Sequence, residues 1–232
     1  MLKFIIRFIA RKCLSAEWIQ LRARIEDECR ALASSPDLAP PLAAQKLLVS
    51  GEDRRHGHHP GYDMRAIGRA IWRRITSGRR EGASTIEQQI VRVLTGRYER
   101  CLTRKIREIL LASLVAAEYP KSILPALYLQ VAYYGWRMNG FAAARRRLRL
   151  STATMSLGEA AFLVARLKYP EPRVAPQSRI RQIDRRRDYL VDLYLVHSRG
   201  GTYEYLDAPR RSGAVRSAIP VAATARALSA AR

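Results

Sequence analysis

The stretch GEDRRHGHHPGYD, Gly51 to Asp63, sets two carboxylates, Glu52 and Asp53, in a basic loop that is rich in histidine. A carboxylate within hydrogen-bond reach of a hydroxyl group can remove its proton as a new bond forms, an effect of about 10²–10⁴-fold in rate. The alternative is that both acids are solvated charges paired with Arg54 and Arg55. The loop is therefore a candidate for acid–base chemistry.

Three histidines, His56, His58 and His59, follow the acidic pair. Imidazoles this close in sequence can bind a metal ion. A short cluster without distant partners more often makes local hydrogen bonds, so both interpretations stay open.

The second segment is GASTIEQQI, Gly82 to Ile90, which offers hydroxyl and amide groups at helical spacing. Ser84 and Gln88 are one turn apart and share a face. Ser84 or Thr85 can also cap the following helix, which would be a purely structural role. The candidate binding residues of this segment are Ser84, Thr85, Gln88 and Gln89.

The third segment is RKIRE, Arg104 to Glu108, in which a second carboxylate follows three cations. Arg104 and Lys105 lie four and three residues before Glu108, so one helical face can present them together. The alternative is an exposed, salt-bridged helix in which each pair contributes about 0.2–0.5 kcal/mol.

Composition limits the class of protein. The chain has 232 residues, 48% of them hydrophobic, which is enough for one or two folded domains with a sizeable core. Its formal net charge of +22 requires an anionic partner: nucleic acid, an acidic membrane surface or phosphate groups. The cysteines Cys13, Cys29 and Cys101 are widely spaced, which predicts neither a disulfide framework nor a zinc site.

Apolar residues recur at intervals of three and four, so the sequence predicts a mainly α-helical fold. We expect three regions: a basic amphipathic N-terminal segment over 1–40, a catalytic domain over 41–197 and a mobile basic tail over 198–232. The predicted helices are Ala16–Ser34, Met64–Ser77, Thr103–Glu118, Ser122–Tyr134, Phe141–Leu148, Ser156–Leu167 and Arg179–Val196.

Two segments suit a membrane surface. The N-terminal sequence MLKFIIRFIARKCL is broken by basic residues and falls short of the roughly 20 apolar residues that span a bilayer. It predicts an interfacial helix or an ordinary surface helix. In Met64–Ser77 an apolar stripe that includes Ile71 and Trp72 opposes three arginines, the pattern of a helix in an anionic interface or of a core helix.

Together with LYLQVAYYG, Leu127 to Gly135, the three segments resemble the ordered motifs of bacterial peptidoglycan glycosyltransferases. This is the lysozyme-like domain of monofunctional transglycosylases and class A penicillin-binding proteins. The resemblance covers about Gln45 to Leu195. It implies a bilobal helical domain that polymerises lipid II into glycan strands, by inverting transfer from an undecaprenyl-pyrophosphate-linked donor.

The resemblance also implies roles for individual residues. Glu52 is the expected base, with Asp53 and His59 beside it, and Glu108 is a second catalytic carboxylate near the donor pyrophosphate. A divalent ion, plausibly Mg²⁺, is expected on Glu108. The expected phosphate-binding residues are Arg92, Arg100, Arg104, Lys105 and Arg107.

Expected partners are lipid II, the growing glycan chain and the anionic surface of the bacterial inner membrane on its periplasmic face. Other cell-wall synthesis proteins are further candidates, and no nucleic acid is expected. Several positions depart from the family pattern: His56 stands where relatives usually have an aromatic residue, and Ala116, Ile123 and Ala126 where they tend to have acids.

These departures leave a second hypothesis open, a catalytically weakened homologue that binds a lipid-linked precursor or glycan. A third, a basic helical protein that binds nucleic acid, rests on charge alone, because the sequence has no nucleic-acid motif.

Overall fold

The computed structural model describes residues 1–35, 39–78 and 82–207. Over these ranges the protein is mainly α-helical, as the periodicity predicts, and it contains two isolated β-bridges but no strand. A short 3-10 helix covers His56–His58. The α-helices are α1 Leu2–Cys13, α2 Ser15–Ser34, α3 Leu42–Glu52, α4 Met64–Ser77, α5 Ile86–Thr95, α6 Leu102–Glu118, α7 Leu124–Val131, α8 Phe141–Arg147, α9 Leu157–Lys168, α10 Gln177–Arg199 and α11 Glu204–Asp207.

The core forms where two groups of helices meet. Helix α5 packs against α6 and α7, while α3 packs against α9, α10 and α7. Burial of these apolar faces is the main favourable term in folding. The fully buried side chains at the centre include Leu47, Leu48, Ile86, Ile90, Leu111, Leu114, Leu124 and Leu127.

Side-chain caps fix the two helices that follow the acidic loop. Asp63 accepts hydrogen bonds from the backbone N–H groups of Arg65 and Ala66, at 2.9 and 3.3 Å, and so begins α4. Thr85 accepts from the N–H of Gln88 and begins α5. These bonds satisfy donors that the first helical turn leaves without partners. The capping role predicted for Thr85 is confirmed.

The N-terminal segment is part of the helical body, which corrects the boundary predicted at residue 41. Helix α1 packs on α6, and α2 packs on α5 and α7. Leu21 and Ile25 of α2 are fully buried in the common core, and Trp18 is 8% exposed there. The predicted boundary followed the resemblance, which begins near Gln45, whereas the apolar face of the predicted helix Ala16–Ser34 packs into the same core.

The predicted mobile tail is also wrong in its first part. Tyr203 and Leu206 are buried in the core, and the hydroxyl groups of Tyr203 and Ser50 are hydrogen-bonded to each other. Lys46 on α3 forms a salt bridge of 2.5 Å with Asp207. Residues 198–207 therefore belong to the domain, while 208–232 lie outside the described residues.

Helix α4 has the bounds that the sequence predicts, and none of its side chains is buried. Ile71, Trp72 and Ile75 are 56%, 68% and 76% exposed, which excludes a core role for this stripe. Within the described ranges, none of the helices has both the length and the apolar character needed to cross a membrane.

Helix α2 offers a test of its place in the core. Ile25→Ala should lower the free energy of unfolding by about 2–5 kcal/mol, because it leaves a cavity at a site with no exposed area. Ile19→Ala on the same helix is the control, since Ile19 is 66% exposed, and should cost less than about 0.5 kcal/mol. Urea unfolding measures both, and equal losses would show that α2 is not packed as described.

Candidate active site

A cleft of about 870 Å³ opens beside the end of α3. Its walls come from the acidic loop, the residues before α5, the first turns of α4, and the C-terminal part of α10 with the turn that follows it. Residues on these walls include Glu52, Asp53, Arg54, Arg55, Arg65, Ser84, Thr85, Tyr189, His197, Thr202 and Glu204. The cleft therefore presents the carboxylates of Glu52 and Asp53 beside several basic side chains.

Glu52 is the last residue of α3, and both of its carboxylate oxygens are held. Oε1 accepts a hydrogen bond of 2.9 Å from the guanidinium of Arg186, and Oε2 accepts one of 3.2 Å from the amide of Gln89. Arg186 also donates to the carbonyl oxygen of Gly51 at 2.8 Å, which fixes the guanidinium itself. The carboxylate is 24% exposed, so it is both oriented and open to the cleft.

Asp53 is turned inward and ties the acidic loop to α5. Its carboxylate accepts hydrogen bonds from Nε2 of His59, at 3.1 and 3.0 Å, and from the backbone N–H of Ile86 at 3.0 Å. Burial would raise the pKa of Asp53, but the neighbouring imidazoles of His56 and His59, the latter through its hydrogen bond, outweigh it and hold this pKa well below its ordinary value. Asp53 is thus a buried anion that positions Glu52.

Thr85 and Gln88 hold the other end of the same loop. Both side chains donate to the carbonyl oxygen of Gly61, at 2.8 and 3.4 Å. Gly61 has a φ of +96°, and a Cβ on it would lie 2.2 Å from the carbonyl oxygen of Ala112, so this position requires glycine. Thr85, Gln88 and the predicted binding residue His59 are buried and bond to the protein itself; contact with substrate stays a prediction for them.

Glu108 on α6 is the centre of a cationic cluster. Its Oε1 contacts Arg92 and Lys105, each at 2.9 Å, and its Oε2 contacts Arg92 at 3.0 Å and also Arg104. Ser84 accepts hydrogen bonds from Arg92 and Lys105, at 3.3 and 3.0 Å. Three predicted phosphate-binding residues and the predicted second carboxylate therefore meet in one place.

Burial and charge act in opposite directions on this cluster. Burial would raise the pKa of Glu108, but hydrogen bonds from Arg92 and Lys105 outweigh it, so the pKa lies below its ordinary value. For Lys105, burial lowers the pKa, and the bond to Glu108 offsets part of that effect. Glu108 is thus an anion that keeps three cations together.

Helix α5 connects the two carboxylates. Gln89 donates to Glu52, and Arg92, three residues later and on the same face, donates to Glu108. Tyr128 is partly buried near Glu52: burial raises its pKa, and the negative charge of Glu52 raises it further. One rigid helix therefore sets the spacing between the cleft and the cationic cluster.

Glu108 does not fit the expected Mg²⁺. Its two oxygens already make four contacts to Arg92, Arg104 and Lys105, which occupy the lone pairs of the carboxylate. A divalent ion would have to displace these cations, so no chemical step is assigned to it.

The remaining predicted phosphate-binding residues lie at the edge of the cluster. Arg107 forms a salt bridge of 2.9 Å with Glu17 of α2, and the same carboxylate of Glu17 contacts Arg97 at 3.4 Å. Arg100 is exposed in the loop between α5 and α6. Sequence reasoning missed Glu17 and Arg186, because each lies far along the chain from the residue that it contacts.

The fold and site define a mainly α-helical domain of the lysozyme-like type, with one carboxylate at a cleft and a second inside a cationic cluster. The sequence model of the family described as "Transglycosylase" matches residues 20–194. The chain belongs to this family, which confirms the resemblance.

Named relatives agree with this family. The chain is 31% identical over 157 residues to penicillin-binding protein 1A of Rickettsia typhi, covering 66% of this chain and 20% of that protein. It is 31% identical over 153 residues to the biosynthetic peptidoglycan transglycosylase of Thiobacillus denitrificans, covering 65% of each. The chain therefore spans about a fifth of the length of the penicillin-binding proteins 1A that it matches.

The state of Glu108 can be tested through pH. Because its pKa is lowered in the folded protein, the ionised carboxylate stabilises the fold above its ordinary pKa of 4.5, and this contribution is lost as the pH falls further. The free energy of unfolding should therefore fall more steeply for the wild type than for Glu108→Gln between about pH 5 and pH 3. Urea unfolding across this range measures both slopes, and parallel slopes would contradict the ion cluster.

Proposed function

We propose that the protein is a peptidoglycan glycosyltransferase that polymerises lipid II. The observation that carries the proposal is that one face of α5 contacts both carboxylates, Glu52 through Gln89 and Glu108 through Arg92. A base is needed at one end of this reaction and cations at the other. The name of the Thiobacillus denitrificans relative supports the same activity.

In the proposed reaction Glu52 acts as the general base. The acceptor sugar hydroxyl loses its proton to Glu52 as its oxygen attacks the anomeric carbon of the donor. The carbon–oxygen bond to the undecaprenyl pyrophosphate breaks at the same time, and the electron pair leaves with the phosphate oxygen. This single displacement inverts the anomeric carbon and forms no covalent sugar intermediate.

The protein's own contacts support each part of this role. Arg186 and Gln89 donate to Glu52, which fixes the direction of its carboxylate. The guanidinium groups of Arg92 and Arg104 can bind phosphate oxygens in pairs, which suits a pyrophosphate leaving group. Lys105 adds a third positive charge beside them.

The donor phosphates and Glu108 would share the same cations. The carboxylate pre-orients Arg92, Arg104 and Lys105 before substrate arrives, so less ordering is needed at the moment of reaction. Arg97 and Arg107, held by Glu17, extend this positive surface towards α2. Other cell-wall synthesis proteins stay candidate partners.

We place the protein at the membrane surface that carries lipid-linked substrate, which in this proposal is the periplasmic face of the inner membrane. Helix α1 exposes Phe4 and Phe8, each 64%, and α4 exposes Trp72 and Ile75. Helix α1 lies against α6, where Arg7 donates to the carbonyl oxygen of Ser113 at 3.3 Å, and Gly61, in the loop before α4, lies against the neighbouring Ala112. The exposed apolar and basic residues of α1 and α4 support interfacial binding.

Replacement of the base tests the activity. Glu52→Gln keeps the shape of the side chain but cannot accept the proton, so the rate of lipid II polymerisation should fall on the order of 10²-fold or more. Glu204→Gln is the control, since this carboxylate lines the same cleft and should keep near-wild-type rates. Gel analysis of glycan strands in detergent measures both.

The outcomes separate the alternatives. A wild-type protein that binds lipid II without extending it would support the weakened homologue. One that ignores lipid II and binds duplex DNA at physiological salt would support the hypothesis based on charge. Equal activity of Glu52→Gln and wild type would remove Glu52 from the mechanism.

The membrane face has a separate test. Ile71→Asp combined with Trp72→Asp should weaken binding to anionic phospholipid vesicles more than about tenfold, because burial of each large apolar side chain contributes about 1.5–3 kcal/mol. Val174→Asp with Ile180→Asp is the control: it makes the same chemical change at exposed residues of the α9–α10 loop and the start of α10. Vesicle sedimentation measures both, with far-UV circular dichroism as the folding check. Unchanged binding by the α4 variant would assign membrane contact to another surface.

A further inference from the structure

A buried cluster of titratable side chains lies behind the acidic loop, apart from the contacts assigned to Glu52 and Glu108. It consists of Asp53, His56, His59 and Glu87, all buried, whose potential ligand atoms lie within 4.8 Å of one another. His58, which the sequence groups with these histidines, is exposed. The cluster joins the end of α3, the 3-10 helix and the first turn of α5.

The ring of His56 presents one nitrogen to the centre of this cluster. Its Nε2 lies 3.2 Å from the carbonyl oxygen of Lys121, where only a donated N–H makes a favourable contact. In the neutral ring Nδ1 then carries the lone pair, and this atom has no hydrogen-bond partner among the residues that the structure describes. It lies 3.5 Å from Oδ2 of Asp53 and 3.5 Å from Oε1 of Glu87. Three electron-rich atoms thus surround one point.

Glu87 repeats the pattern. Its Oε1 forms a salt bridge with Lys121, whereas its buried Oε2 has no hydrogen-bond partner within the described ranges. A buried polar atom without a partner costs about 1–3 kcal/mol. Two such atoms in one cluster, in residues that are both 0% exposed, point to a cation-binding site.

The surrounding contacts have the form of an outer shell. Nδ1 of His59 accepts from the backbone N–H of Gly61 at 3.2 Å, so its proton is on Nε2, which donates to Asp53. His59 therefore orients a carboxylate and is not itself a ligand. Lys121 orients Glu87 in the same way: it contacts Oε1, which keeps a second lone pair for the ion, and its own carbonyl orients His56. Metal ligands in proteins are held by such second contacts.

We propose that Asp53, His56 and Glu87 bind one divalent transition-metal ion, with Zn²⁺ the best match. Metal–ligand distances of about 2.0–2.2 Å in a tetrahedron separate ligand atoms by about 3.4 Å. The two separations of 3.5 Å from Nδ1 of His56 fit this value. Imidazole with carboxylates favours such an ion over Mg²⁺. Asp53 borders the cleft, so water can complete the coordination.

The ion would join three segments that position the active site. Asp53 follows Glu52 directly, and Glu87 precedes Gln88 and Gln89 on α5. The proposal rests on the cluster alone and stands whether or not the protein polymerises lipid II. Lys121 is the competing cation, since it already neutralises Glu87.

The experiment uses the full chain after treatment with a chelator and removal of the chelator. Zn²⁺ is added, free ion is removed by gel filtration, and bound metal is measured by atomic spectroscopy. We expect about one ion per wild-type chain. His56→Phe and Glu87→Gln should bind at least about 100-fold more weakly, whereas His58→Phe, the matched control in the same loop, should bind as the wild type does.

Glu108→Gln separates this site from the cationic cluster and should retain the ion. Absorption of the Co²⁺-loaded wild type gives a second readout, because four-coordinate Co²⁺ absorbs visible light far more strongly than the hydrated ion. This spectrum decides the question if the variants do not fold. A wild type that retains no ion and gives only the hydrated Co²⁺ spectrum, or equal losses in His56→Phe and His58→Phe, would overturn the proposal.

Discussion

The hydrogen bond between the Asp53 carboxylate and the backbone N–H of Ile86 joins the two parts of the site. It fixes the end of α3 against the beginning of α5, and it satisfies a donor that the first turn of α5 cannot use internally. The partial positive charge at a helix N-terminus favours an anion there, in agreement with the lowered pKa of Asp53. Glu52, one residue earlier, is thereby held within reach of Gln89. The position of the proposed base thus depends on a residue that need not touch substrate.

The ion pairs around Glu108 are a second constraint on the architecture. Arg92, Arg104 and Lys105 converge on the buried Glu108, and without its carboxylate their mutual repulsion would oppose folding. Such a cluster is costly to form, because each ion leaves water. Its retention at one end of α5 is consistent with a site for an anionic substrate, since phosphate oxygens can take up the donors that Glu108 now shares. Stability and function therefore use the same three cations.

The sequence predicted the fold class, which the helical structure confirms, better than it predicted the extent of the domain. Amphipathic helices such as α4 follow from their period, whereas α3 was not among the predicted helices, because most of its residues are buried and it lacks a polar stripe. Residues of one motif, such as Arg104 and Glu108, were predicted to share a helical face, and they are in contact. Arg186 could not be singled out from Arg185 and Arg187, since only the packing of α10 on α3 determines which guanidinium reaches Glu52. The inward direction of Thr85 and Gln88 likewise depends on where Gly61 lies.

The N-terminal helices α1 and α2 show how an apolar segment interrupted by basic residues can contact the core and also expose an apolar face. In α1, Ala10 is fully buried where the helix packs on α6, while Phe4, Ile5 and Phe8 remain more than half exposed. Helix α2 continues from it into the core and presents Glu17 to Arg107 and Arg97. The same short segment thus connects an exposed apolar face to the counter-ion of the cationic cluster. Because α2 is packed rigidly through Leu21 and Ile25, a lipid surface that binds α1 would also fix the distance between that surface and the arginines. A site that must meet a phosphate group at the lipid headgroup level requires this kind of fixed distance.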